Sequence, residues 1–150
     1  MRSLVYKAEL EHFDNTDFDS VEGKNKCDLP KRHVAIKHIK KTSDEQGEHG
    51  FIAEIEILSR CKHPNIVSLV GFCDEGRDMI IVYDLASNGS LDDYLGATSK
   101  MTTFTWVQRI NLCLGIAHGL KYIHTSLDHK QNIIHRDLKS ANILLNVSII

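Results

Sequence analysis

The stretch His135-Arg136-Asp137-Leu138-Lys139-Ser140-Ala141-Asn142, running straight into Ile143-Leu144-Leu145, constrains this chain more than any other feature. A histidine, two cations, a carboxylate and a carboxamide crowd one short segment, and the apolar run behind it reads as a strand. Nothing in the composition points away from an ordinary globular protein. Of the 150 residues, 42% are hydrophobic and 25% charged, with a net charge of −2. That balance gives no general electrostatic attraction to nucleic acid or lipid. No segment approaches the roughly 20 apolar residues that span a bilayer. The opening Met1-Arg2-Ser3-Leu4 lacks the apolar centre of a signal peptide.

Cys27, Cys61, Cys73 and Cys113 are far apart, which argues against a disulfide framework in a chain with no export signal. Cys61 and His63 have the spacing of a half metal site, but no second close pair answers them. They read instead as a small buried hydrophobe and a loop histidine.

Along the chain, Val34–Ile39, alternating and β-branched, is a predicted strand. Ahead of it, residues 11–32 are rich in Asp, Asn, Lys and Glu and read as a long solvated loop. Phe51, Ile52, Ile55 and Leu58 form one apolar stripe of a helix, with Glu54 beside it and Glu56 turned elsewhere. Gly47 and Gly50 weaken its start by about 1 kcal/mol each relative to alanine. Ile66–Phe72 and Met79–Tyr83 are predicted strands joined by a hairpin connection at Asp74–Asp78. Trp106, Ile110, Cys113, Ala117 and Leu120 repeat at spacings of four and three, with Leu112, Leu114, Ile116 and Ile123 on other faces. This predicts a second helix buried nearly all round.

Taken together, these motifs resemble a protein kinase domain. The segment at 135–142 is similar to the kinase catalytic loop H-R-D-L-x-x-x-N, and Val34-Ala35-Ile36-Lys37 to the V-A-I-K strand. The wording between them narrows the likeness. Glu54-Ile55-Glu56-Ile57-Leu58, His63-Pro64-Asn65-Ile66-Val67-Ser68-Leu69-Val70-Gly71-Phe72-Cys73-Asp74-Glu75, Asn88-Gly89-Ser90-Leu91 and Gly115–His124 resemble plant receptor-like serine/threonine kinases of the Pelle type. The resemblance implies an α+β fold, a kinase-like fragment. It would comprise a small antiparallel-sheet lobe with one helix (5–83, carrying the inserted loop 11–32), a hinge (84–90) and the start of a helical lobe (91–150). No first strand and no G-x-G-x-x-G loop precede Val5, and the chain stops before any Asp-Phe-Gly, so it reads as truncated at both ends. The large helix should then leave an apolar patch exposed and the chain poorly soluble.

The resemblance also implies roles. Asp137 would orient the acceptor hydroxyl, Lys139 support the transferring phosphoryl group and Asn142 bind magnesium. Lys37 would contact the α- and β-phosphates and pair with Glu54. Ala35 belongs to the nucleotide-binding strand, Tyr83 is the gatekeeper behind the adenine, and the Asp84 carbonyl and Ala86 N–H meet the adenine edge. Leu144 is the floor beneath the adenine. Arg136 implies control through a phosphorylated activation loop. ATP and Mg²⁺ are the implied cofactors and a protein Ser/Thr hydroxyl the acceptor, with no nucleic acid. The molecule would be a monomer in the cytoplasm, or on the cytoplasmic face of the plasma membrane within a longer parent protein. Two other readings stay open: a noncatalytic, pseudokinase-like binding module, and a truncated gene product without a role.

Overall fold

The computed structural model describes residues 3–11, 31–41, 45–95, 104–125 and 133–146. Most of the expected inserted loop, residues 12–30, lies outside them, as do Cys27 and the polar segment 126–132. The chain forms two compact units, Met1–Phe51 with Leu69–Leu85 and Ile52–Ser68 with Ala86–Ile150.

In the first unit, four antiparallel strands form one sheet: β1 (Ser3–Glu11), β2 (Lys31–Lys40), β3 (Leu69–Glu75) and β4 (Asp78–Asp84). Their order across the sheet is β1-β2-β4-β3. The β-branched run 34–39 and the apolar run 79–83 become its two central strands, because only there is each strand hydrogen-bonded on both sides. Met79, Ile81 and Tyr83 are buried on alternate positions of β4, as a half-buried strand requires. Val34, Ile39 and Phe51 complete the covered apolar set of this unit. The edge strand β1 leaves Leu4, Val5, Tyr6 and Leu10 exposed.

Two boundaries differ from the sequence reading. Glu11, Lys31 and Arg32 belong to strands rather than to the loop, since Glu11 pairs with Lys31 and Leu10 with Arg32. β3 starts at Leu69 rather than at Ile66. Its pairing with β4 begins where Leu69 faces Tyr83, and a bulge follows between Leu69 and Gly71. The Ile66 N–H instead closes a turn on the His63 carbonyl at 3.0 Å.

In the second unit the main element is α3 (Trp106–Thr125), joined by the short α2 (Asp92–Leu95). The helix α1 (Glu45–Leu58) contributes its last two turns. Residues 61–66 lie against α3: His63 stacks on Tyr122 with ring centres 4.8 Å apart, and the Lys62 N–H donates to the Tyr122 hydroxyl. A β-carbon at Gly119 would stand 3.0 Å from the Asn65 carbonyl oxygen, so glycine allows this close approach. These contacts account for the grouping of 52–68 with α3.

The helix α3 is not buried all round. Trp106, Ile110, Cys113 and Ala117, the stripe chosen from periodicity, are exposed, and Leu120 is half-buried. The covered line is Leu112, Gly119 and Ile123. A helix apolar on several faces gives the 3.6-residue period no means of saying which face is covered. The anticipated exposed patch is present, with Trp106 74% and Val107 65% exposed and Ile110 and Leu114 beside them.

Candidate active site

In the first unit, three of the residues expected to meet a nucleotide, Ala35, Lys37 and Tyr83, share one face of the sheet. Ala35 lies directly opposite Tyr83, and Lys37 directly opposite Ile81. Directly paired residues point the same way, and residues two apart along a strand do too. Ala35, Lys37, Ile81 and Tyr83 therefore form one patch, with Val5 across from Lys37 on the other side. Ile81 and Tyr83 are buried and Lys37 is half-buried, so the ammonium stem runs over apolar surface. Asp84 points to the opposite face. Its carboxylate takes a two-pronged bond from Arg32, at 2.7 and 2.9 Å. The role implied for Asp84 belongs to its main-chain carbonyl, which this fork leaves untouched. The Leu85 N–H extends the ladder to the His33 carbonyl at 3.1 Å.

The second unit brings together Asp137, Lys139 and Asn142. The Lys139 Nζ lies 2.8 Å from Asp137 Oδ2. The Asn142 Nδ2 donates to the Asp137 carbonyl at 2.8 Å and to Oδ2 at 3.1 Å. The bond from Lys139, then that from Asn142, hold the Asp137 carboxyl below the usual carboxylate range, so it is ionised at neutral pH. With Nδ2 committed twice to Asp137, the remaining polar group of Asn142 is its carboxamide oxygen. A hard oxygen beside an ionised carboxylate is the donor set that suits Mg²⁺.

The backbone is shaped to present these groups. Arg136 takes φ 61, left-handed for a residue with a side chain, and the Asp137 N–H closes a γ-turn on the His135 carbonyl at 2.9 Å. Such a conformation costs on the order of 1–3 kcal/mol and persists only where its surroundings over-determine it. Here the same N–H also meets His135 Nδ1 at 3.3 Å, and Asn142 grips the Asp137 carbonyl. After Lys139 the chain makes a 3₁₀ turn over Ser140–Asn142, with the Asn142 N–H on the Lys139 carbonyl and the Ile143 N–H on that of Ser140.

Downstream, 143–145 form a seam with 88–91. Asn88 N–H donates to the Leu145 carbonyl, Leu91 N–H to that of Ile143, and Leu145 N–H to that of Gly89. Ser90 and Leu144 are bridge partners in this seam. Leu145 is fully buried and Leu144 exposed, so the seam anchors on one leucine and offers the other. Ala86 lies just before it and accepts from the Gly89 N–H at 3.4 Å. Gly89 has φ 75, and a β-carbon there would come within 2.6 Å of Asp93 Oδ2. That carboxylate caps Ser90 through both its N–H and its hydroxyl. The Ser90-x-x-Asp93 spacing is a capping signal legible in the sequence. The sequence reading also missed Asp92, which accepts a bond from Ser140 across 48 positions.

Glu54 sits half-buried on α1 in the second unit, and Glu56 is exposed. His63 Nδ1 accepts from the Asn65 N–H, and burial pushes the Cys61 thiol up. Those are the structural parts expected of this pair.

The sequence model of the protein tyrosine and serine/threonine kinase family matches residues 5–150. The chain is 41% identical to the receptor-like protein kinase FERONIA of Arabidopsis thaliana over 145 residues, 93% of this chain and 16% of FERONIA. It is 48% identical to the receptor-like protein kinase ANXUR2 of the same plant over 113 residues, 75% of this chain and 13% of ANXUR2. A probable L-type lectin-domain containing receptor kinase of that plant is 40% identical over 77% of this chain and 17% of its own length. The chain thus spans about one-sixth or less of the length of these curated relatives. With a kinase sequence model matched from Val5 to the last residue and plant receptor-like kinases alongside it, this chain belongs to the protein kinase family.

Proposed function

We propose that this stretch serves a serine/threonine protein kinase of receptor-like type, which moves the γ-phosphate of ATP to a protein hydroxyl. The observation that carries the reading is the ionised Asp137 held between Lys139 and Asn142 on a strained turn. In phosphoryl transfer the protein mostly positions groups and stabilises charge. Asp137 orients the acceptor hydroxyl and receives its proton. Lys139, two positions on, supplies the positive charge near the moving phosphoryl group, and its presence favours serine or threonine over tyrosine as acceptor. Asn142 offers its carboxamide oxygen to Mg²⁺, which neutralises phosphate charge when bound. From their match to the family's motifs, we assign Lys37 to the α- and β-phosphates with Glu54 as its acid, and Ala35, Tyr83, Leu144, the Asp84 carbonyl and the Ala86 N–H to the adenine.

The relatives are receptor-like kinases by name, so we place the parent protein's kinase part on the cytoplasmic side of a membrane. No described helix is long and apolar enough to cross one. The 150 residues contain neither G-x-G-x-x-G nor Asp-Phe-Gly. By themselves they therefore turn over negligibly: each missing electrostatic contribution is worth about 2.7–4 kcal/mol, by analogy with one lost oxyanion-hole donor. The exposed apolar face of α3 favours a second reading, in which these residues bind a partner without catalysis.

A graft separates the two. Residues 33–146 replace the matching stretch of an active receptor-like kinase, and phosphate incorporation into serine-, threonine- and tyrosine-bearing peptides is measured. The expected result is transfer to serine and threonine, lowered about 10²–10⁴-fold by Asp137→Asn with folding intact. A folded graft that transfers nothing, or is indifferent to Asp137→Asn, refutes the kinase reading.

A further inference from the structure

The loop that carries Asp137 and Asn142 is held unevenly. Beyond Ile143 it is sewn to 88–91 by three main-chain bonds. Ahead of that seam, the 3₁₀ turn that delivers Asn142 begins at Ser140, whose hydroxyl donates to Asp92 Oδ1 at 2.5 Å. This is a short hydroxyl-to-carboxyl bond. Asp92 starts α2 directly after Leu91, whose N–H closes the seam, and directly before Asp93, which caps Ser90. The bond therefore ties the strained loop to a stretch of backbone that the seam and the cap hold.

We propose that Asp92, acting through the Ser140 hydroxyl, is a positioning residue for the catalytic loop: it fixes the turn that sets Asn142 against Asp137 and aims its carboxamide oxygen. The magnesium part of the proposal rests on the kinase reading above; the ordering of the turn does not. The plainer role for Asp92 is a first-turn acid that favours the N-terminal end of α2. The two roles separate on charge. A helix-end charge is lost in Asp92→Asn, whereas the asparagine oxygen still accepts from Ser140.

The experiment uses the full chain and four variants, Asp92→Ala, Asp92→Asn, Ser140→Ala and Ser140→Thr. Amide hydrogen exchange is read at Asn142 and Ile143, whose N–H groups close the turn, and at Leu91 and Leu145, whose N–H groups close the seam. Asp92→Ala and Ser140→Ala should each speed exchange about tenfold at 142 and 143 and leave 91 and 145 unchanged. Asp92→Asn and Ser140→Thr should stay near the parent. In parallel, Mg²⁺ is titrated into chain held with ATP. The alanine variants should need about tenfold more Mg²⁺, the lower end of the loss seen when groups supporting a metal ligand are removed. Metal-free ATP affinity should not change.

Unchanged exchange at 142 and 143 in both alanine variants overturns the proposal. So does an Asp92→Asn chain that behaves like Asp92→Ala, or a loss of protection spread equally over all four amides. If the parent chain shows no Mg²⁺-dependent ATP binding, the magnesium part of the proposal fails for these residues, the graft still decides the kinase reading, and the exchange data still decide the positioning role. Should Asp92→Ala not fold, Ser140→Ala tests the same bond from its other end.

Discussion

Between Val34 and Ile39 the chain is held by main-chain ladders on both sides, which almost any side chain could support. Between His135 and Asn142 it is held largely by side chains: Asn142 on the Asp137 carbonyl, His135 on the Asp137 N–H, Ser140 on Asp92. The sheet asks of its residues only shape and hydrophobicity, and the burial of Met79, Ile81 and Tyr83 shows where that demand is greatest. The loop asks for particular atoms. Stability should therefore be concentrated in the first region and chemistry in the second, and substitutions can test how far the two are separate.

The largest stability effect is expected from Ile81→Ala. Ile81 is 0% exposed at the centre of β4, and its truncation should cost about 2–5 kcal/mol in a denaturant melt. The exchange rates of Asn142 and Ile143 should rise only through global unfolding. Direct loosening of the loop at native conditions would break the contrast.

Gly89→Ala should follow, at about 1–2 kcal/mol. Its φ of 75 is unfavourable for alanine, and the new methyl would push on the Asp93 carboxylate that caps Ser90. The same melt measures it. Lengthening of the seam's protection, instead of its loss, would show that 88–91 are not held as described.

Lys139→Met should have the smallest effect on stability and a clear effect on titration. The Asp137 carboxyl is held low first by its bond from Lys139, so removing the ammonium should raise its pKa toward the ordinary 3.8. Because the folded value is depressed, the stabilisation tied to it is complete above the unfolded value and is lost as pH falls through the folded one. The variant should therefore lose loop order at a higher pH on acidification than the parent does, read by carboxyl carbon NMR. An unchanged midpoint would remove Lys139 from the cause. A melting shift as large as that of Ile81→Ala would erase the distinction between the regions.

Legibility followed the same line. β2 and β4 were readable because their β-branched and apolar runs have the period of a strand, and their neighbours agree with it. Ile66-Val67 look equally strand-like, yet Ile66 is turned back onto His63, and Asn65 lies against Gly119 of α3. No local pattern announces that competition. The stripe of α3 failed for a related reason: periodicity identifies a helix and its apolar faces, but coverage depends on what the rest of the chain brings to each face. Asp137, Lys139 and Asn142 stood out together because six positions can be read as one motif. The bond from Ser140 to Asp92 could not, since it joins ordinary polar residues 48 positions apart.

The amino-acid order alone settled the kinase membership, the strand-forming runs and the identity of the charged group at 137–142, because those depend on residue type and near spacing. Which face of α3 is covered, where β3 begins and what braces the catalytic loop were decided only in three dimensions. Those outcomes turn on contacts between distant segments, whose energies no short window of sequence contains.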